Sequence, residues 1–167
     1  GRIKGKGREL GHIVFLDSPD VLLAGGISPD ITFWSVPEGK EIGRMAAHNQ
    51  GTAAMFPSAE SRELYSVGID GEVKCWERQG EQTAWKGEVI YRITKKGYYF
   101  SALSPSQQHL AISVDNGLMI IDIHAGVPAD ELEVKPKSLY SPRFHPDGVA
   151  VGSGGSDGKI RIWEIDG

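Results

Sequence analysis

The sequence is poor in the features that staple, anchor or decorate a chain. One Cys in 167 residues excludes a disulfide framework and any four-Cys zinc site. No Asn-x-Ser/Thr acceptor occurs, because Asn49 and Asn116 lack the hydroxyl two residues on. No apolar run approaches the ~18 residues a membrane span needs, and the opening residues lack the pattern of a secretory signal. Basic excess is missing too: 18 Lys+Arg stand against 22 Asp+Glu, a net charge of −4. Residues 1–10 hold a net +3, so the other 157 residues hold −7. A mildly acidic body does not neutralise phosphates, which argues against a nucleic-acid partner. The basic arm reads as a solvated tail or a contact for an acidic partner. Sustained i, i+3, i+4, i+7 patterning is absent as well, so helices should be few. The expectation is a soluble intracellular protein, cytoplasmic or nuclear, with no membrane span.

Glycine is what the chain has in excess: 22 of 167 residues, about twice the usual ~7%. It accompanies an internal repeat. The segments SPDITFWS (28–35), DGEVKCWE (70–77), DNGLMIID (115–122) and DGKIRIWE (157–164) superimpose, with Trp34, Trp76, Ile121 and Trp163 spaced by 42, 45 and 42 residues. Each is preceded by a second matching piece: LDSPD (16–20), MFPSA (55–59), LSPS (103–106) and FHPDG (144–148). Two aligned features at one period make a repeat architecture. Each repeat reads as short strands between turns. In the fourth, LYSPRF, VAVGSGG and KIRIWEI are separated by His-Pro-Asp-Gly and Ser-Asp-Gly. Asp-Gly between β-rich runs signals a hairpin, since Gly accepts positive φ freely. Ile160 and Ile162 share one face of the last strand while Arg161 and Trp163 share the other. Apolar groups on both faces suit a sheet sandwiched between neighbouring sheets.

On these residues nearly all of 11–167 resembles the WD40-repeat family. Gly11-His12 fits the repeat start, Ser18-Pro19-Asp20 the first turn, and Trp76-Glu77 and Trp163-Glu164 a degenerate Trp-Asp ending. The resemblance implies an all-β fold: a WD40-type β-propeller of four blades, or a partial propeller arc, built of four-stranded antiparallel sheets. The repeats fall at 11–47, 48–90, 91–134 and 135–167, with residues 1–10 as a basic arm or closing outer strand. The resemblance also implies a hydrogen-bonded tetrad, for which only the second repeat is complete: His48, Ser66, Asp70 and Trp76. The fourth repeat has Ser153, Asp157 and Trp163 but Lys135 where His belongs. The third has Asp115 alone, and His12 precedes Trp34 by only 22 residues, too few.

Ser66, His48 and Asp70 also have the composition of a hydrolase triad. No G-x-S-x-G elbow surrounds Ser66 in LYSVG, and the tetrad accounts for Trp76 as well, so the structural role is preferred. GSGGSDGK (152–159) fails as a phosphate loop, having Ser at 153 and Ile at 160. The five His and the lone Cys75 make no zinc-ligand pattern; Cys75 reads as a small core residue. No catalytic, metal or cofactor site is assigned. Lys95, Lys96 and Tyr98, in the run KKGYYF, are the candidate partner-binding residues. Tyr99 and Phe100 read as packing, with strand alternation sending Tyr98 and Phe100 one way.

The fourth repeat ends after its third strand, and Arg8-Glu9-Leu10-Gly11-His12 reads as a candidate for the missing outer one. The function implied is a non-enzymatic scaffold or adaptor in a multiprotein complex. Its partners are other proteins, through a heteromeric complex or a self-association that completes the propeller. The competing reading is an enzyme or a modified-peptide reader at a channel mouth, although Tyr98 and Tyr99 alone make no aromatic cage.

Overall fold

A computed structural model of the chain describes residues 10–81, 83–97, 99–134 and 138–165. Among these residues every regular element is a strand, and the chain divides into two compact units between Arg92 and Ile93. The first unit holds two antiparallel sheets. One comprises β1 (Leu10–Phe15), β2 (Val21–Gly26), β3 (Asp30–Ser35) and β4 (Lys40–Ala46). The other comprises β5 (Thr52–Pro57), β6 (Glu63–Gly68), β7 (Glu72–Arg78) and β8 (Trp85–Arg92). The second unit holds a sheet of β9 (Ser101–Leu103), β10 (His109–Val114), β11 (Gly117–Asp122) and β12 (Val127–Glu133). It also holds a three-stranded sheet of β13 (Leu139–Phe144), β14 (Ala150–Gly155) and β15 (Ile160–Glu164). Each sheet is a meander, every strand pairing with its neighbour in sequence.

The turns are made by the residues that read as turns. Gly71, Gly148 and Gly158, each after Asp, adopt φ of 81°, 82° and 76°. In the third sheet Asn116 takes that role at φ 68°, a conformation its short polar side chain tolerates. The hairpins place the repeat in register. Trp34 pairs with Leu22, Trp76 with Leu64, Ile121 with Leu110 and Trp163 with Val151. The 42-to-45-residue period is therefore the same position of the same strand in successive sheets.

Within the first unit, Val14, Leu23, Ile31 and Phe33 of the first sheet pack on Met55, Leu64, Trp76 and Trp85 of the second. Within the second unit, Ala111, Leu118 and Ile120 pack with Leu139, Phe144, Val151 and Trp163 of the fourth sheet. Each such large side chain, fully buried, is worth about 1.5–3 kcal/mol, so the sheet-to-sheet faces carry the stability.

Three expectations are corrected. Leu10–His12 form no outer strand of the fourth sheet; they begin β1 and pair with β2, because Val14 must point into the first unit's core. Residues 1–9 and Lys135 lie outside the described residues. Ile160 and Ile162 are not sandwiched, since both stand largely exposed on a sheet whose last described strand is β15. Cys75 is half-buried instead of deep in the core, and burial pushes its thiol up to about 11.

Candidate functional site

The connection from β4 to β5 carries His48 over the end of the second sheet. There it meets Ser66 on β6, Asp70 in the β6–β7 turn and Trp76 on β7. His48 Nδ1 lies 3.2 Å from Asp70 Oδ1 and Nε2 lies 2.7 Å from Ser66 Oγ. Trp76 Nε1 donates to the same Ser66 oxygen at 2.8 Å. A carboxylate only accepts, so Nδ1 carries the ring proton and Nε2 accepts from the serine hydroxyl. The hydrogen bonds then run Trp76 N–H to Ser66 O–H to His48, and from His48 N–H to Asp70. Asp70 also accepts the backbone N–H of Asn49 at 2.8 Å and of Glu72 at 3.1 Å. Burial lowers the His48 pKa from its ordinary value, outweighing the opposing pull of Asp70. Gly68 is dictated by this packing, because a Cβ there would run into Asp70 and His48.

The Ser66–His48–Asp70 spacing is that of a catalytic triad, but Ser66 is 0% exposed and its oxygen is covered by the Trp76 indole N–H. A nucleophile must reach substrate. This one reaches only its neighbours.

Beside it lies a second layer absent from the sequence reading. Glu72 is held by Lys74 at 3.1 Å and by Arg92, which keep its carboxyl below the usual range, the Lys74 hydrogen bond contributing most. Lys74 also donates to the Ala47 carbonyl at 2.6 Å and lies 5.8 Å above the Trp76 ring. His48, Asp70 and Glu72 offer ligand atoms within 4.8 Å of one another, yet the two cations already answer the carboxylate charge. The readable signal is Lys74, the cross-strand partner of Ser66.

The other sheets treat the same positions differently. In the first, Trp34 Nε1 donates to Thr32 Oγ1 at 2.9 Å, which donates in turn to the Ala24 carbonyl at 3.1 Å. In the third, buried Ile112 and Ile121 stand where Ser66 and Trp76 stand. In the fourth, Ser153 donates to the Tyr140 carbonyl at 2.9 Å, and Arg161 forks onto Asp157 at 3.0 and 2.6 Å. That fork holds the exposed Asp157 carboxyl at about 2.

Lys95 and Lys96 line a pocket of about 280 Å³ with Val114, Leu118, Leu132 and Glu133. The Asp115 N–H donates to the Lys96 carbonyl at 2.5 Å, pinning the incoming connection to the β10–β11 turn. Lys95 is 2.6 Å from Glu131 across the pocket. Tyr98 lies outside the described residues. The alternation expected for its neighbours does not hold, because Tyr99 has φ 51° and the strand begins only at Ser101. Phe100 is exposed and meets Tyr140 edge-on, ring centres 6.0 Å apart.

Residues 131–164 match the family model described as "WD domain, G-beta repeat"; the matched stretch begins in β12 and ends in β15. The chain is similar to the Cps50 (Swd1) β-propeller domain of Myceliophteria thermophila, with a TM-score of 0.78 and 17% identity over 94% of this chain and 54% of that one. The sheets are β-propeller blades, and residues 131–164 match a WD40 repeat. Curated relatives include Pre-mRNA-processing factor 19 homolog 2 of Arabidopsis thaliana, 20% identical over 90% of this chain. The THO complex subunit 6 homolog of Danio rerio is 26% identical over 98% of this chain and 50% of its own length. The chain spans 29% of the Arabidopsis relative, so whole-protein properties do not transfer directly. Among the described residues no helix is long and apolar enough to cross a membrane.

Proposed function

We propose that these blades form a non-catalytic scaffold that holds protein partners within a multiprotein complex, at an intracellular site, nuclear or cytoplasmic. The observation that carries this reading is the blade 3 pocket. Its floor of Val114, Leu118 and Leu132 is apolar, and its rim carries Lys95, Lys96, Asp115, Glu131 and Glu133. An apolar floor with charges of both signs suits a protein segment that inserts a side chain and pairs its flanking charges. The His48 network supports the reading from the other side, because it spends the chain's most reactive-looking residues on tying strands together. Relatives named as a complex subunit and a pre-mRNA-processing factor agree with work inside assemblies.

The test is affinity capture from cell extract with the wild-type chain and with Lys96→Glu and Glu133→Lys variants. The reading expects partner recovery to fall in both variants while the circular dichroism stays unchanged. Equal recovery by all three would remove the pocket from partner binding.

A further inference from the structure

We propose that the blade 3 pocket takes a basic side chain, arginine before lysine, from an extended segment of the partner protein. This rests on the scaffold reading above and adds the chemistry of the occupant.

One repeat position carries the inference. Four residues before the aligned Trp34, Trp76 and Ile121 stand Asp30, Glu72 and Gly117. Each pairs with the outer strand of its own sheet: Asp30 with Ala46, Glu72 with Arg92 and Gly117 with Glu133. In blade 1 the Asp30 carboxylate lies 3.6 Å from Arg44 of β4. In blade 2 the Glu72 carboxylate is held by Arg92 of β8 and by Lys74 at 3.1 Å. Both blades set an acid on the third strand against a base on the fourth.

Blade 3 breaks this pattern on both strands. The third-strand acid is gone, and Gly117 is fixed in its place because a Cβ there would run into the Leu132 carbonyl oxygen. Where blade 2 has Arg92, blade 3 has Glu133, and where blade 1 has Arg44 it has Glu131. Met119 replaces Lys74 and brings no charge. The carboxylates have moved to the outer strand, and Gly117 lines a cavity of about 280 Å³. Lys95 answers Glu131 at 2.6 Å. Among the described residues no cation is paired with Glu133. The rim as a whole sets Asp115, Glu131 and Glu133 against Lys95 and Lys96, one negative charge in excess.

The group that completes the pattern here is a cation from outside the chain. An ammonium or guanidinium at Glu133 restores the ion pair of blades 1 and 2 with its strands exchanged. A protein side chain delivers it on an aliphatic stem, which suits the apolar wall of Val114 and Leu132. The planar fork of a guanidinium matches a carboxylate with two parallel bonds, which favours arginine. A metal ion fits less well, because Glu131 is already spent on Lys95 and hard cations need several oxygen ligands.

Nuclear magnetic resonance titration of the full 167-residue chain with the peptide acetyl-Ala-Ala-Arg-Ala-Ala-amide reads the result. Amide shifts should concentrate at Gly117, Leu132 and Glu133. The same peptide with citrulline, alike in shape and uncharged, should bind about tenfold more weakly or worse. Glu133→Gln should weaken the arginine peptide by a similar factor. Should that variant fold poorly, the citrulline comparison on the wild-type chain still decides. Equal affinity for the two peptides overturns the proposal, and so does the absence of shifts in this pocket at millimolar peptide. The two readings fail separately. If Lys96→Glu and Glu133→Lys lower partner capture while the arginine peptide does not bind, only the basic occupant falls. If the peptide binds and capture is unchanged, the site for a basic side chain stands and the pocket's role in the scaffold falls.

Discussion

His48 is a histidine whose two ring nitrogens are both committed, one to a serine and one to a carboxylate. Removing the ring leaves Ser66 and Asp70 buried beside an unfilled space, and a buried partner lost costs about 1–3 kcal/mol. His48→Ala should lower the melting temperature accordingly; an unchanged one in thermal denaturation removes the network from the stability of blade 2. The acid side of the pH curve tests the same residue. Burial holds the folded-state pKa of His48 below its ordinary 6.5, so below that pH the unfolded chain binds a proton the folded chain refuses. Stability is then present above about 6.5 and declines as pH falls towards the depressed folded value. His48→Gln should flatten that decline in melting curves recorded between neutral and mildly acid pH. The residue types of this network were legible because their spacing follows the repeat. Lys74 and Arg92 were not, since their pairing with Glu72 depends on which strand faces end up adjacent.

At the level of the strand, the turn chemistry carried most of the information. Asp-Gly pairs turn the hairpins before Trp76 and Trp163 and Ser-Pro-Asp turns the one before Trp34, and the hairpins set the register that puts the three Trp at one position. Alternation was a weaker guide wherever the backbone departs from extended. Tyr99 at positive φ breaks the pattern just where KKGYYF invited it, and Phe100 turns outward as a result. Nor does period-2 patterning say whether a neighbouring sheet is present, which is why Ile160 and Ile162 read as core. The blades should differ in local stability for the same structural reasons. Amides of β6 and β7, tied by the His48 network, should exchange most slowly, and those of β15, which pairs only with β14 among the described residues, fastest. Hydrogen–deuterium exchange resolved by peptide reads this order; equal protection of blades 2 and 4 would contradict it.

For the molecule as a whole, the net charge of −4 makes copies of the chain repel weakly, with that repulsion screened over ~10 Å at 0.1 M salt. The all-β class, the propeller blades and the WD40 repeat were legible from period and turn residues. Which glycines are packed was not, because Gly25 under Thr52 and Gly154, where a Cβ would meet nothing within 4 Å, are the same letter.

The substitution of Ile121 for tryptophan in blade 3 has an optical consequence. The four Trp of the chain are Trp34 in blade 1, Trp76 and Trp85 in blade 2, and Trp163 in blade 4. Indole emission therefore sees residues 101–133 only through Trp163, which packs on the core that holds Leu118 and Ile120. An unfolding curve followed by tryptophan fluorescence will not separate the loss of blade 3 from the loss of blade 4 unless a chromophore is placed in blade 3.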